Sequence, residues 1–170
     1  MSLPPASELP TLSSAQKSDA IALLFEPCPT LVELVLPLTT APTSWPDLIE
    51  RVRAVLLALP PTDPRTTQIV AAHPRLGAKK VDSAQSQAEQ ASLESGPEVA
   101  AKLAELNAQY EETFPGLRYV VFVAGRPRPE IMQDMTARIN EGNYAREVAR
   151  AFNAMCDIAL DRSRKLLSKI

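Results

Sequence analysis

One histidine, two cysteines, one tryptophan and five glycines are all that this 170-residue sequence holds of those residue types. Each scarcity argues against something. A single His with two distant Cys, Cys28 and Cys156, argues against a zinc site of the usual His/Cys kind. Carboxylate-rich Mg or Ca sites stay open on composition, but no EF-hand loop or phosphate-cradling glycine loop is present, and no metal or cofactor is expected. Two cysteines are too few for a disulfide scaffold and read as reduced intracellular thiols. Five glycines against sixteen prolines, eleven of them before residue 65, suit short helices and stiff turns better than hairpins. Long hydrophobic runs are missing: Ala20 to Phe25 and Tyr119 to Ala124 fall far short of a membrane span. The net charge of -2 gives no reason to expect nucleic acid as a partner. Met1 to Pro10 carries prolines where an export signal needs a basic start and an apolar run.

What is present is a globular balance, 45% hydrophobic and 22% charged. That composition and length fit one domain with a substantial core, expected over residues 13–167. Residues 1–12, with Pro4, Pro5 and Pro10, are expected to be disordered. Thr30-Leu31-Val32-Glu33 has capping-box spacing ahead of an apolar segment that Pro37 should stop. Ser44 can cap a helix with Pro46 in its first turn, carrying Trp45, Leu48, Ile49, Val52, Val55, Leu56 and Leu59 at helical spacing until Pro60-Pro61. Asp63-Pro64 opens another helix to about Ala72. A further one is expected from about Ala84 to Leu93. Pro97 starts a helix with Val99, Leu103, Leu106 and Tyr110 on one stripe. Arg118 to Ala124 reads as a strand or an extended buried segment. Ile131, Met132, Met135 and Ile139 mark the next helix, and Asn143 caps the last and longest. The expectation is an all-α, single-domain helical bundle.

Three polar features stand out against this pattern. The last helix runs Val148, Phe152, Met155, Ala159, Arg162, Leu166, so Arg162 occupies a core position. An arginine there either snorkels from the edge of the stripe, the plainer reading, or is buried with an anionic partner. Ser86, Glu89, Gln90 and Leu93 share one helical face, either solvated or a preorganised polar constellation. His73 precedes Pro74 and should therefore sit just past a helix C-terminus, its ring exposed near the negative end of the dipole. It is the one side chain whose unperturbed pKa lies near neutrality. Arg126 and Arg128 read as a solvated loop, and Asn107 and Tyr110 as structural residues pinning the turn that follows them.

Taken together, His73-Pro74-x-Leu76-Gly77, Ser86-x-x-Glu89-Gln90, Leu106-Asn107-x-x-Tyr110 with Phe114, the apolar run Tyr119 to Val123, and Arg162 resemble the OHCU decarboxylase family. Those enzymes act on 2-oxo-4-hydroxy-4-carboxy-5-ureidoimidazoline in urate breakdown. The order holds over about residues 65 to 166. Two departures are a short link from His73 to Ser86 and Ser163 where the family usually has Leu. The resemblance implies a helical homodimer that converts this small molecule to (S)-allantoin and CO2. It implies His73 and Glu89 as catalytic residues. Pro74, Ser86, Gln90, Arg162 and backbone groups of Tyr119, Val120, Val121, Phe122 and Val123 are implied as substrate contacts. It also implies a peroxisomal home in many eukaryotes. Ser168-Lys169-Ile170, one conservative step from the peroxisomal tripeptide read by the import receptor, agrees with that location; the alternative is cytoplasmic.

The substrate's chemistry suits such a chain. An imine beside the carboxylated carbon can accept the electron pair left by CO2, so no cofactor is needed as electron sink. What remains is proton handling by His73 and Glu89 and charge placement by Arg162. Two other readings stay open: a non-catalytic helical peroxisomal interaction protein derived from the family, or a decarboxylase of a related ureido acid.

Overall fold

The computed structural model describes residues 2–77 and 96–168. Seven α-helices are described: α1 (Ser14–Leu24), α2 (Pro29–Val35), α3 (Trp45–Leu57), α4 (Pro64–Ala71), α5 (Pro97–Thr113), α6 (Arg128–Glu141) and α7 (Tyr144–Leu167). Two short 3-10 helices, Ala6–Thr11 and Leu36–Thr40, join them, and the described residues hold no strand. The architecture is all-α, as expected. No single described helix is long and apolar enough to cross a membrane.

Local signals account for most helix starts. The Ser44 side chain accepts from the Asp47 N–H, Asp63 from the Arg65 N–H and Asn143 from the Arg146 N–H, each satisfying a donor that has no partner within its helix. Ser13 and Gln16 form a reciprocal capping box at the start of α1. The expected box at Thr30 does not form. Pro29 takes the first helical position, where its missing N–H costs nothing, and moves the cap to Cys28. The Thr30 hydroxyl instead bonds the Gln68 side chain, 2.8 Å away on α4. Nor does Pro37 stop the chain outright: α2 ends at Val35 and continues as the 3-10 helix Leu36–Thr40, in whose first turn Pro37 is tolerated.

The core is built around α7, which packs along α3 and also meets α1 and α4. α7 buries Val148, Ala151, Phe152, Met155, Cys156, Ile158 and Ala159, and α3 contributes Trp45, Leu48, Ile49, Val52 and Leu56. Full burial of each large apolar side chain contributes roughly 1.5–3 kcal/mol, so this seam is a major part of the favourable side of folding. At its edge, Arg53 of α3 reaches Asn153 Oδ1 at 2.9 Å and Asp157 Oδ1 at 2.7 Å on α7. Both cysteines are buried and free.

The N-terminal residues differ from expectation. Instead of being disordered, they dock: Leu3 and Leu9 are fully buried, and the Trp45 indole N–H donates to the Pro4 carbonyl at 2.8 Å. The prolines preset the backbone of a short 3-10 helix rather than preventing order, and the two leucines supply its attachment.

Candidate functional site

His73 lies two residues beyond α4, and its N–H closes the helix on the Val70 carbonyl at 3.1 Å. The following loop is fastened from the α5 side. Asn107 Nδ2 donates to the Leu76 carbonyl at 3.0 Å, Arg75 pairs with Glu111 at 2.8 Å, and Arg118 Nη1 donates to the His73 carbonyl at 3.0 Å. Gly77 turns with φ +78°, a conformation that favours glycine, and a Cβ there would also push on the Leu103 Cδ2 methyl at 2.7 Å. Asn107 is thus structural, as expected, but it pins the histidine loop rather than the turn after α5. Tyr110 is structural too, through Glu147.

The expected exposed imidazole is not observed. His73 is only partly exposed, and its Nδ1 is buried with no hydrogen-bond partner among the described residues. Burial pushes its pKa down to about 4. Glu26 acts in the opposite sense, while Arg162 and Arg118 add to the depression. Ending a helix gave no protection from the core here, because the chain after α5 folds back over His73. At neutral pH the ring is an uncharged imidazole with an unsatisfied nitrogen, able to take up a proton or receive a ligand's hydrogen bond.

Arg162 does not snorkel. It is 3% exposed, donates from Nη1 to the Leu24 carbonyl at 3.1 Å and pairs from Nη2 with Glu26 at 3.1 Å. Glu26, 5% exposed, stands in the turn between α1 and α2. Burial with an anionic partner is the second of the two outcomes that its stripe position allows. Glu26 and Arg118 were not foreseen as members of this corner. Ser163, which is buried beside Arg162, satisfies its hydroxyl on the Leu160 carbonyl at 2.8 Å.

The segment from Tyr119 to Val123 has no regular secondary structure and pairs with no strand among the described residues, and Arg118 joins its start to His73. Tyr119, Val120 and Val121 are buried. Three of its carbonyls already accept from arginines: Val120 from Arg138 at 3.4 Å, Phe122 from Arg126 at 2.7 Å and Val123 from Arg126 at 3.2 Å. Arg126 is therefore a clasp on this segment rather than part of a solvated loop, and Arg128 buries its Nε. Pro74 is partly exposed beside His73. Ser86, Glu89 and Gln90 lie outside the described residues, as do Lys169 and Ile170 of the C-terminal tripeptide. Among the described residues, no group of three His, Cys, Asp or Glu side chains converges to hold a metal ion.

The structure therefore brings His73, Arg162 and the start of the Tyr119 to Val123 segment to one corner, with Glu26 and Arg118 added. Comparison with known structures places this arrangement in a known fold. A crystal structure of OHCU decarboxylase in the presence of (S)-allantoin matches with a TM-score of 0.67 at 20% identity, covering 89% of this chain and 98% of that one. A crystal structure of (S)-allantoin synthase gives 0.62 at 16% identity over 97% of this chain. The present chain spans about half of that protein, 54% of its length. At such identities the likeness is one of fold. No curated protein matches the sequence. The family model for OHCU decarboxylase, however, matches residues 10–164, nearly the whole chain, and on that match the chain belongs to the OHCU decarboxylase family.

Proposed function

We propose that this member of a decarboxylase family converts 2-oxo-4-hydroxy-4-carboxy-5-ureidoimidazoline to (S)-allantoin and CO2 without a cofactor. The observation that carries the reading is the His73 imidazole, uncharged at neutral pH, with Nδ1 buried and unpartnered. Buried polar atoms are nearly always bonded, so each exception calls for a reason, and for the one imidazole of the chain a catalytic role is the reason the family membership supports.

The chemistry asks for little else. The bond to the carboxylate breaks, and its electron pair forms a carbon–carbon double bond as the adjacent imine nitrogen takes up charge and a proton. The hydroxyl of the resulting enol then loses its proton, and the neighbouring carbon gains one on a single face. His73 and Glu89 handle these protons, and Pro74, Ser86, Gln90 and Arg162 hold the ring, its ureido arm and its anionic part. Backbone groups of the Tyr119 to Val123 segment left free by Arg126 and Arg138 read the ring's amide edges. Arg162 reaches this corner already oriented by Glu26. The same reading carries a homodimer, and import into peroxisomes through Ser168-Lys169-Ile170.

The test is the handedness of the product. With substrate generated in situ from urate by the two preceding enzymes, wild-type protein should build up (S)-allantoin, followed by circular dichroism, and His73→Ala should not. Racemic product at the uncatalysed rate with wild type rejects the assignment and leaves a relative with another ureido acid or with none.

A further inference from the structure

Glu26 has no place in the expected set of site residues, yet it stands at the centre of the described corner. Its carboxylate accepts from Arg162 Nη2 at 3.1 Å, and two residues earlier the Leu24 carbonyl accepts from Arg162 Nη1 at the same distance. One guanidinium thus grips a single turn of chain through a side chain and a backbone oxygen, which fixes both its position and the plane of its fork. The two side chains are 4% and 3% exposed. A buried ion pair is costly to desolvate, and apolar residues of equal volume often serve stability as well or better. The arrangement therefore calls for a reason other than stability.

His73 supplies one. Among the described residues, the charged groups that act electrostatically on it come from three elements: Glu26 from the α1–α2 turn, Arg162 from α7, and Arg118 from the segment after α5, whose Nη1 also donates to the His73 carbonyl at 3.0 Å. Arg118 is itself 3.8 Å from Glu111, which also holds Arg75. Two arginines oppose an imidazolium at this corner, and among these three groups Glu26 is the carboxylate that offsets them.

Resting on the decarboxylase reading above, we propose that Glu26 is a positioning residue: it fixes the orientation of Arg162 and supplies the negative charge against which His73 takes up a proton during turnover. Its action on the reacting atoms runs through those two residues.

His73 is the only histidine in the sequence, so its Cε1–H proton resonance reports one titration without assignment. Three variants are compared with wild type: Glu26→Gln, Glu26→Asp, and the double variant Glu26→Gln/Arg162→Gln. Each is followed by the histidine titration and by kcat and KM for (S)-allantoin formation. Glu26→Gln should lower kcat by roughly 10²-fold, the scale of a misplaced catalytic geometry, and move the His73 titration to lower pH. Glu26→Asp should keep the titration near wild type and recover part of kcat. The double variant removes one opposing charge of each sign, so its titration should return toward wild type while kcat stays low. An unchanged titration with near-wild-type kcat in Glu26→Gln overturns the proposal. If Glu26→Gln does not fold, the double variant decides: wild-type turnover in it overturns the proposal, and lost turnover with a restored titration supports it. A wild type without turnover rejects the decarboxylase reading and not the pairing. The titration alone then decides the pairing, a lower His73 pKa in Glu26→Gln supporting it and an unchanged one overturning it.

Discussion

Helix α7 carries two buried charges, Glu147 near its start and Arg162 fifteen residues on, and the protein surrounds them in opposite ways. Around Glu147 the polar atoms are paired. The Tyr110 hydroxyl donates to it at 2.6 Å, Arg150 pairs with it at 2.8 Å, and Arg138 lies 3.8 Å away. Arg138 also pairs with Asp134 at 3.0 Å and stacks over the Tyr119 ring, whose hydroxyl donates to Asp134. Around Arg162 the ion pair with Glu26 is made, but the neighbouring His73 Nδ1 is left without a partner. A saturated network rigidifies and specifies a fold, whereas an unsatisfied buried nitrogen costs stability unless something else completes it. The first cluster is scaffold. The second is where binding is to be sought.

The largest expected effect breaks the second cluster. His73→Ala should lower kcat for (S)-allantoin formation by ~10²–10⁴-fold, the usual contribution of a positioned acid–base group. The melting temperature should fall little, because no hydrogen bond of the imidazole Nδ1 is lost. Glu147→Gln should do the reverse. It leaves Arg150 and Arg138 facing a neutral group, though each keeps a second carboxylate, and should cost about 2–3 kcal/mol in denaturant unfolding, with turnover per folded molecule close to wild type. Should the two variants exchange these signatures, the distinction between scaffold and site falls.

Acid sharpens the same contrast. With His73 held at about 4 when folded and near 6.5 when unfolded, the unfolded chain binds more protons between those values. Stability contributed by the neutral ring is therefore fully present above pH 6.5 and is lost as pH falls toward 4, on the order of 3 kcal/mol in all. His73→Gln should remove this portion of the acid slope, measured by urea midpoints from pH 7 to 4. An unchanged slope in the variant would place the His73 ring in water.

How much of this was readable beforehand follows from periodicity. Arg162 is visible as misplaced because α7 is 24 residues long and its apolar stripe predicts what belongs at each turn. Glu26 is invisible by the same criterion: it lies in a turn, and its partner is 136 residues away. Glu147 gives no such signal, because a glutamate in a first helical turn reads as a complement to the helix dipole, which hides that this one is fully buried. The caps at Ser44, Asp63 and Asn143 were legible because they act within three residues, whereas Thr30 was lost to a contact on α4. His73 was placed correctly after its helix but in the wrong medium. Local rules set where a chain turns, and only the packing of distant segments decides whether that turn meets water.

The smallest effect tests whether the scaffold cluster behaves as one unit. Tyr110→Phe removes a single hydroxyl from a ring that stays packed against Phe114 and Tyr119 at centroid distances of 4.8 and 5.5 Å. Glu147 keeps its two arginines, so it is not stranded, and the loss should be about 1–2 kcal/mol, that of one hydrogen bond to a charged acceptor. In the double variant with Glu147→Gln the two losses should fall short of adding, by 0.5 kcal/mol or more as is typical of residues sharing one network. Full additivity would mean that the hydroxyl and the ion pairs act independently, and that the order of this region comes from its apolar packing alone. A Tyr110→Phe variant of wild-type stability but impaired turnover would be more damaging. It would show that the saturated cluster also serves the reaction, and that unsatisfied hydrogen bonding is a poor guide to the site in this fold.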